Sequence, residues 1–79
     1  MSSVSPEHIA LGRAIREMRT AREFTQQALA VEAGLDRTFI GGVERGERSP
    51  TYGSLVRIAN ALGVSVSEIV GLAERLTHE

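Results

Sequence analysis

The chain has 79 residues, a formal net charge of −1, two histidines and no cysteine. A chain of this length holds one compact domain, and without cysteine it forms no disulfide and no thiolate metal site. We therefore expect a single domain over residues 1–79 with no metal and no cofactor. The N-terminal MSSVSPEHIA has no basic start and apolar run, and no stretch reaches the roughly 20 apolar residues that span a bilayer. A soluble cytoplasmic protein without membrane contact is expected.

The first predicted helix begins at Ser5-Pro6-Glu7, where a capping serine precedes a proline and an acid. It is expected to run to about Arg22. Its apolar face repeats at helical spacing and consists of Leu11, Ile15 and Met18. No later segment alternates at period two for long enough to predict a strand, so the domain is predicted to be all-α.

Two short helices are predicted over residues 26–33 and about 37–45. Thr25 is expected to cap the first of them, and Gly34 supplies the left-handed turn that ends it. Asp36 is expected to cap the second helix, which stops at Gly46. The charged positions of this second helix lie away from its apolar line, so one of its faces is available for binding.

Two further helices are predicted after the polar loop at residues 47–50. The fourth begins near Thr51 and stops at Gly63, and the fifth begins with a capping box at Ser65 and Glu68. The fifth helix is more apolar than a fold of this size requires, so we expect it to form a two-fold dimer interface with helix four. The alternative is that all of it is intramolecular core. The predicted interface residues are Val66, Ile69, Val70, Leu72, Ala73 and Leu76.

Over about residues 11–72 the chain resembles the Cro/C1-type helix-turn-helix family of phage repressors and small bacterial regulators. The resemblance rests on TQQ-LA at 25–30, AGL at 33–35, I--VERG at 40–46, RSP at 48–50 and L--IANALGVS at 55–65. It implies a compact five-helix, lambda-repressor-like domain whose helix-turn-helix covers about residues 25–45. Within the family, LDRTFI and GVER look closest to the controller proteins of restriction-modification systems.

In a helix-turn-helix the second helix enters the major groove, and its N-terminal residues reach the base edges. Arg37 and Thr38 occupy that position. The fork of Arg37 can bind guanine O6 and N7 together, whereas the alternative is a surface ion pair with Asp36 or Glu32. Thr38 is expected to contact a base or phosphate, with an ordinary surface role as the alternative.

Phe39 and Gly42 complete the predicted base-reading set. Phe39 lies at the border of the apolar face, where core packing is slightly favoured over contact with bases. Glycines at 41 and 42 are costly inside a helix. A helical wheel places Gly42 opposite the core, so its missing side chain is expected to let the helix sit deep in the groove, with more reliance on DNA shape. The alternative is a tolerated surface glycine.

The predicted phosphate contacts lie around the two helices. Gln26 resembles the phosphate-binding glutamine of the family, at a helix N-terminus that itself favours anions. Arg45 and Arg48 bracket the following loop and are expected to set orientation. Ser49 and Tyr52 are candidates for further phosphate hydrogen bonds, although surface packing is favoured for Tyr52. The resemblance also implies a buried structural salt bridge between Arg19 and Glu44.

No spacing supports a nucleophile, a catalytic dyad or a paired-carboxylate site, so no enzyme is predicted. We expect a transcriptional regulator that binds palindromic double-stranded operator DNA as a homodimer, and that blocks or recruits RNA polymerase. Two alternatives remain: a protein-interaction module without DNA binding, and an antitoxin that holds a toxin with residues 74–79 while repressing its own operon.

Overall fold

The computed structural model describes residues 5–78 and places five α-helices and no strand within them. The all-α prediction is therefore confirmed. The first and third helices end one residue before the predicted ends at Arg22 and Arg45. The helices are α1 Pro6–Ala21, α2 Gln26–Ala33, α3 Arg37–Glu44, α4 Tyr52–Leu62 and α5 Val66–Thr77.

Four of the five helices begin at a side-chain cap, in which a serine or threonine oxygen accepts a backbone N–H. At α5 the cap is reciprocal, because the N–H of Ser65 also donates to Glu68 Oε1 at 2.9 Å. Asp36 is the exception. Its backbone has the extended conformation of a cap, but its carboxylate accepts no capping hydrogen bond. The predicted side-chain cap of α3 is wrong, since this exposed carboxylate faces solvent.

The core forms where α1 packs against α5 and α3, and where α2 packs against α3 and α4. Its largest completely buried side chains come from all five helices. Leu11 and Met18, predicted for the core face of α1, are only partly buried and pack against its edge. These large buried side chains are Ile15, Leu29, Ile40, Val43, Ile58, Leu62 and Ile69.

The apolar stripe of α5 largely belongs to this same core. Ile69, Ala73 and Leu76 are only 0%, 7% and 8% exposed. Ile69 cannot contact a second copy, and Ala73 and Leu76 offer it little surface, so these three residues fit the alternative of an intramolecular core better than the predicted interface. Packing of α5 along α1 closes the core with these residues, which a count of apolar side chains on α5 alone does not reveal. Of the predicted interface, Val66 and Leu72 stay partly exposed and Val70 is 38% exposed.

Close approach of two backbones fixes the C-terminal end of α3 against α1. The contact is made at Gly12, which is buried in the middle of α1. A Cβ atom at this position would lie 2.5 Å from the carbonyl oxygen of Glu44, and nearer still to that of Val43. Only glycine permits this separation, so α1 forms a rigid support behind α3.

No single helix among residues 5–78 is long and apolar enough to span a bilayer. Helices α4 and α5 reach that criterion together by length and composition, across a bend of 97°.

Candidate nucleic-acid interface

A buried polar network joins the ends of α1, α2 and α3. Arg19 donates from Nε to Glu44 Oε2 at 2.6 Å and from Nη2 to Oε1 at 3.0 Å. Its Nη1 donates to the carbonyl oxygen of Phe24 at 2.8 Å. The two charged side chains are only 11% and 3% exposed. This paired, two-point geometry satisfies a charge that would otherwise be costly to bury.

Gln26 is the third member of this network. Its Nε2 donates to Glu44 Oε1 at 3.0 Å, across from the arginine. An amide nitrogen has two N–H groups, so one remains for a partner outside the protein. Glu44 thereby orients a polar side chain at the first turn of α2, beside the outer face of α3.

The first turn of α3 presents Arg37 and Thr38 to solvent. Within the described residues 5–78, neither side chain forms a hydrogen bond or an ion pair. The alternative pairing of Arg37 with Asp36 or Glu32 is therefore not formed. The donors of both side chains are available to an external acceptor.

Gly42 is buried rather than open, because the chain folds back over it after α3. The backbone N–H groups of Glu47 and Arg48 both donate to the carbonyl oxygen of Gly42, at 2.9 and 3.2 Å. A Cβ atom at Gly42 would lie 2.5 Å from Cγ of Arg48. The prediction that this position is an open surface toward DNA is wrong. A helical wheel represents α3 alone and cannot show the turn that covers it.

Phe39 lies beside this turn. Its ring is partly buried and packs against the core. The guanidinium carbon of Arg48 stands 5.3 Å from the ring centroid, within the range of a cation–π interaction. The Phe39 ring therefore contacts both the core and the guanidinium of Arg48.

The remaining predicted phosphate contacts surround α3. Arg45 donates from Nε to Glu47 Oε1 at 3.1 Å, and these two side chains are 58% and 52% exposed. Ser49 is exposed. Tyr52 is 75% exposed, so its ring stands in solvent instead of packing on the surface. Arg45, Ser49 and Tyr52 are thus all exposed, as Arg37 and Arg48 are.

A family model described as helix-turn-helix matches residues 15–69. The chain belongs to the helix-turn-helix family. It is a transcription regulator of that family and a homologue of restriction-modification control proteins, as the sequence resemblance predicted.

The immunity repressor of Bacillus phage phi105 is 38% identical over 63 residues, which are 80% of this chain but only 44% of that protein. Control protein C.SmaI of Serratia marcescens is 40% identical over 60 residues, covering 76% of this chain and 71% of its own length.

Two solved controller proteins share the fold. C.AhdI from Aeromonas hydrophila matches 82% of this chain and 98% of its own with a TM-score of 0.81 and 37% identity. C.Esp1396I, solved as a tetramer in complex with its natural 35 base-pair operator, matches 95% and 99% with a TM-score of 0.86 and 31% identity.

The sequence did not predict several contacts of the helix-turn-helix residues. They include the hydrogen bond from Gln26 to Glu44 and the packing of Arg48 against Gly42 and Phe39. The adjacent glycines at 41 and 42 were the only local signal of these contacts. They indicated that another group lies close to the α3 backbone, but they did not identify that group. The ion pair of Arg45 with Glu47 was also missed, because residue 47 was assigned only to a polar loop.

Proposed function

We propose that this protein binds a palindromic DNA operator as a dimer and regulates a nearby promoter, as a controller protein of a restriction-modification system. The observation that carries the proposal is the first turn of α3, where Arg37 and Thr38 are exposed and uncommitted within residues 5–78. Support also comes from C.SmaI, which is named a control protein, and from C.Esp1396I, which is solved on its operator.

Base reading falls to Arg37 and Thr38. With α3 in the major groove, these residues at its N-terminal turn meet the base edges. The Arg37 fork matches the two acceptors of guanine, and no bond within the described protein has to break first. Gly42 and Phe39 contribute little direct readout, because Arg48 covers the first and shares the ring face of the second.

Phosphate contacts set the register of α3 in the groove. Gln26 is suited to this because Glu44 holds its amide and leaves one N–H for an anion. Arg45 can exchange its exposed partner Glu47 for phosphate at little cost. Arg48, Ser49 and Tyr52 extend the contacts along the backbone from the turn after α3 and the start of α4.

Dimerisation is assigned to the part of the predicted interface that remains accessible. The accessible apolar residues of α5 are Val66 and Leu72, which are partly exposed, and Val70, which is 38% exposed. A two-fold axis through this surface would place two copies of α3 on half-sites about 34 Å apart, one helical turn of DNA. Bound near a promoter, the dimer would act by occupancy, either blocking RNA polymerase or contacting it.

Selection of bound sequences from random duplex DNA tests the function. We expect an enriched palindrome, and Arg37→Ala should relax one base position in each half-site. Arg16→Ala is the matched control, since it removes an equally charged exposed residue from α1, away from the residues assigned to DNA binding and dimerisation. If the wild-type protein enriches no motif at low salt, the proposed function fails.

Sedimentation velocity tests the dimer separately. Val70→Asp should shift the protein from dimer toward monomer, because it places a charge in the proposed apolar interface. Val31→Asp is the control, since Val31 is an exposed valine on α2 at 67%. A wild-type monomer at high concentration, or equal effects of the two substitutions, would refute the assigned interface.

A further inference from the structure

Arg48 belongs to a turn, yet three separate contacts hold it against α3. The first contact is made by the backbone. The N–H groups of Glu47 and Arg48 converge on the carbonyl oxygen of Gly42 at 2.9 and 3.2 Å. This shared acceptor fixes the position of the Arg48 main chain relative to the helix.

The second contact is made by the aliphatic stem of Arg48, which occupies the volume of a side chain missing at Gly42. A Cβ atom there would lie 2.5 Å from Arg48 Cγ and 3.4 Å from its Cβ. Arg48 Cγ can move aside only by rotation about the Cα–Cβ bond, which would carry the rest of the side chain away from its present position. At neighbouring Gly41 the nearest atom is Nη1 of Arg45 at 3.1 Å, the far end of a flexible side chain.

The third contact is made by the guanidinium, whose carbon lies 5.3 Å from the centroid of the Phe39 ring. Packing of Phe39 against the core keeps the ring in place. The aliphatic stem and the guanidinium of Arg48 thus both contact residues of α3, while Arg48 itself remains exposed. Arg45, by contrast, has among the described residues a single hydrogen-bonding partner, the exposed carboxylate of Glu47.

We propose that Gly42 and Phe39 are positioning residues that hold Arg48 in one orientation on the outer face of α3, ready to bind a DNA phosphate. This inference rests on the proposed DNA-binding function. A long side chain normally loses rotamer freedom when it binds, and that loss weakens affinity. If Arg48 is already held in one orientation in the free protein, binding to DNA costs it little further rotamer freedom. Gly42 and Phe39 therefore act on DNA through Arg48.

A double-mutant cycle on the selected operator tests the inference. Gly42→Ala and Phe39→Leu should each weaken binding by about two- to tenfold while Arg48 is present. Both should have no effect in the Arg48→Ala background, because there is no arginine left to position. Gly41→Ala is the matched control for added helix propensity: its methyl group meets Arg45 and Gln26 instead of Arg48, so any effect on affinity should be the same with and without Arg48.

Salt dependence gives a second readout. Arg48→Ala should reduce the slope of log affinity against log salt by about 0.9, because one phosphate contact is lost. The two positioning variants should keep the wild-type slope, since Arg48 still reaches the phosphate after ordering. Thermal melting checks that each variant folds. If one of Gly42→Ala and Phe39→Leu does not fold, the double-mutant cycle with the other variant is sufficient.

Equal weakening by Gly42→Ala and Phe39→Leu with and without Arg48 would overturn the inference, since it would indicate direct action on DNA. Absence of weakening in both backgrounds would overturn it as well. Both outcomes leave wild-type operator binding intact, whereas failure of the proposed function appears as absence of wild-type binding.

Discussion

Arg19 binds the last residue of α3 and Arg37 is its first residue, and the two use the same guanidinium differently. The inner side of α3 is defined here by its buried contacts with α1 and α2, and the outer side by its solvent-exposed positions. Arg19, on the inner side, donates to Glu44 and to the carbonyl oxygen of Phe24, and its side chain is 11% exposed. Arg37, on the outer side, is exposed and bonds to no acceptor within residues 5–78. Because both residues are arginines, their different roles must come from their surroundings. The acceptors near each guanidinium decide whether the arginine is structural or available for binding.

We accordingly expect substitutions on the inner side to lower stability, and substitutions on the outer side to alter DNA binding at nearly constant stability.

The largest expected effect is that of Glu44→Ala. It strands the Arg19 charge and releases Gln26, so the free energy of unfolding should fall by about 3–5 kcal/mol. Urea denaturation measures this loss. Glu47→Ala is the control, because its ion pair with Arg45 is exposed and should contribute less than about 1 kcal/mol. Similar losses for both variants would remove the distinction between inner and outer sides.

Gly12→Ala tests the inner side without changing a charge. The added methyl group meets the backbone carbonyl oxygens at the end of α3, which cannot move aside cheaply. We expect a loss of about 1–3 kcal/mol despite the better helix propensity of alanine, measured by thermal denaturation. An increase in stability would show that α1 and α3 are less closely held than the structure indicates.

Arg37→Ala should affect only the outer side. Stability should change by less than about 0.5 kcal/mol, because no contact within the described residues is lost. Discrimination at one base pair of each half-site should fall by about 1–3 kcal/mol, as measured by competition with substituted operators. A stability loss comparable to that of Glu44→Ala would contradict the outer-side role.

The smallest effect is expected for Glu47→Gln. Removing this negative charge releases Arg45 and reduces repulsion of phosphate, so affinity should rise by up to about fivefold, or roughly 1 kcal/mol. Titration of operator DNA at low salt measures the gain, which should shrink as salt is added. Weaker binding by Glu47→Gln would mean that the ion pair orients Arg45 for DNA instead of competing with it.

The five helices and their bounds could be predicted because the determining signals are local. The capping box of α5, for example, requires only Ser65 and Glu68, three residues apart. Arg37 and Thr38 could be selected for the same reason, since the end of a helix and its apolar face are visible in a short window. Asp36 shows the limit of this reasoning, because a favourable residue at a cap position did not form the bond.

The sequence by itself thus determined the helices, the helix-turn-helix and the exposed residues in the first turn of α3. Only the tertiary structure decided which apolar residues of α5 stay accessible, because Ile69 and Val70 are adjacent but differ in exposure, 0% against 38%. It also decided that Gly42 holds Arg48 and that Glu44 orients Gln26, 18 residues away in the chain. These contacts depend on how segments that are distant in the chain pack together. The helical period of one segment contains no information about the segment that packs against it.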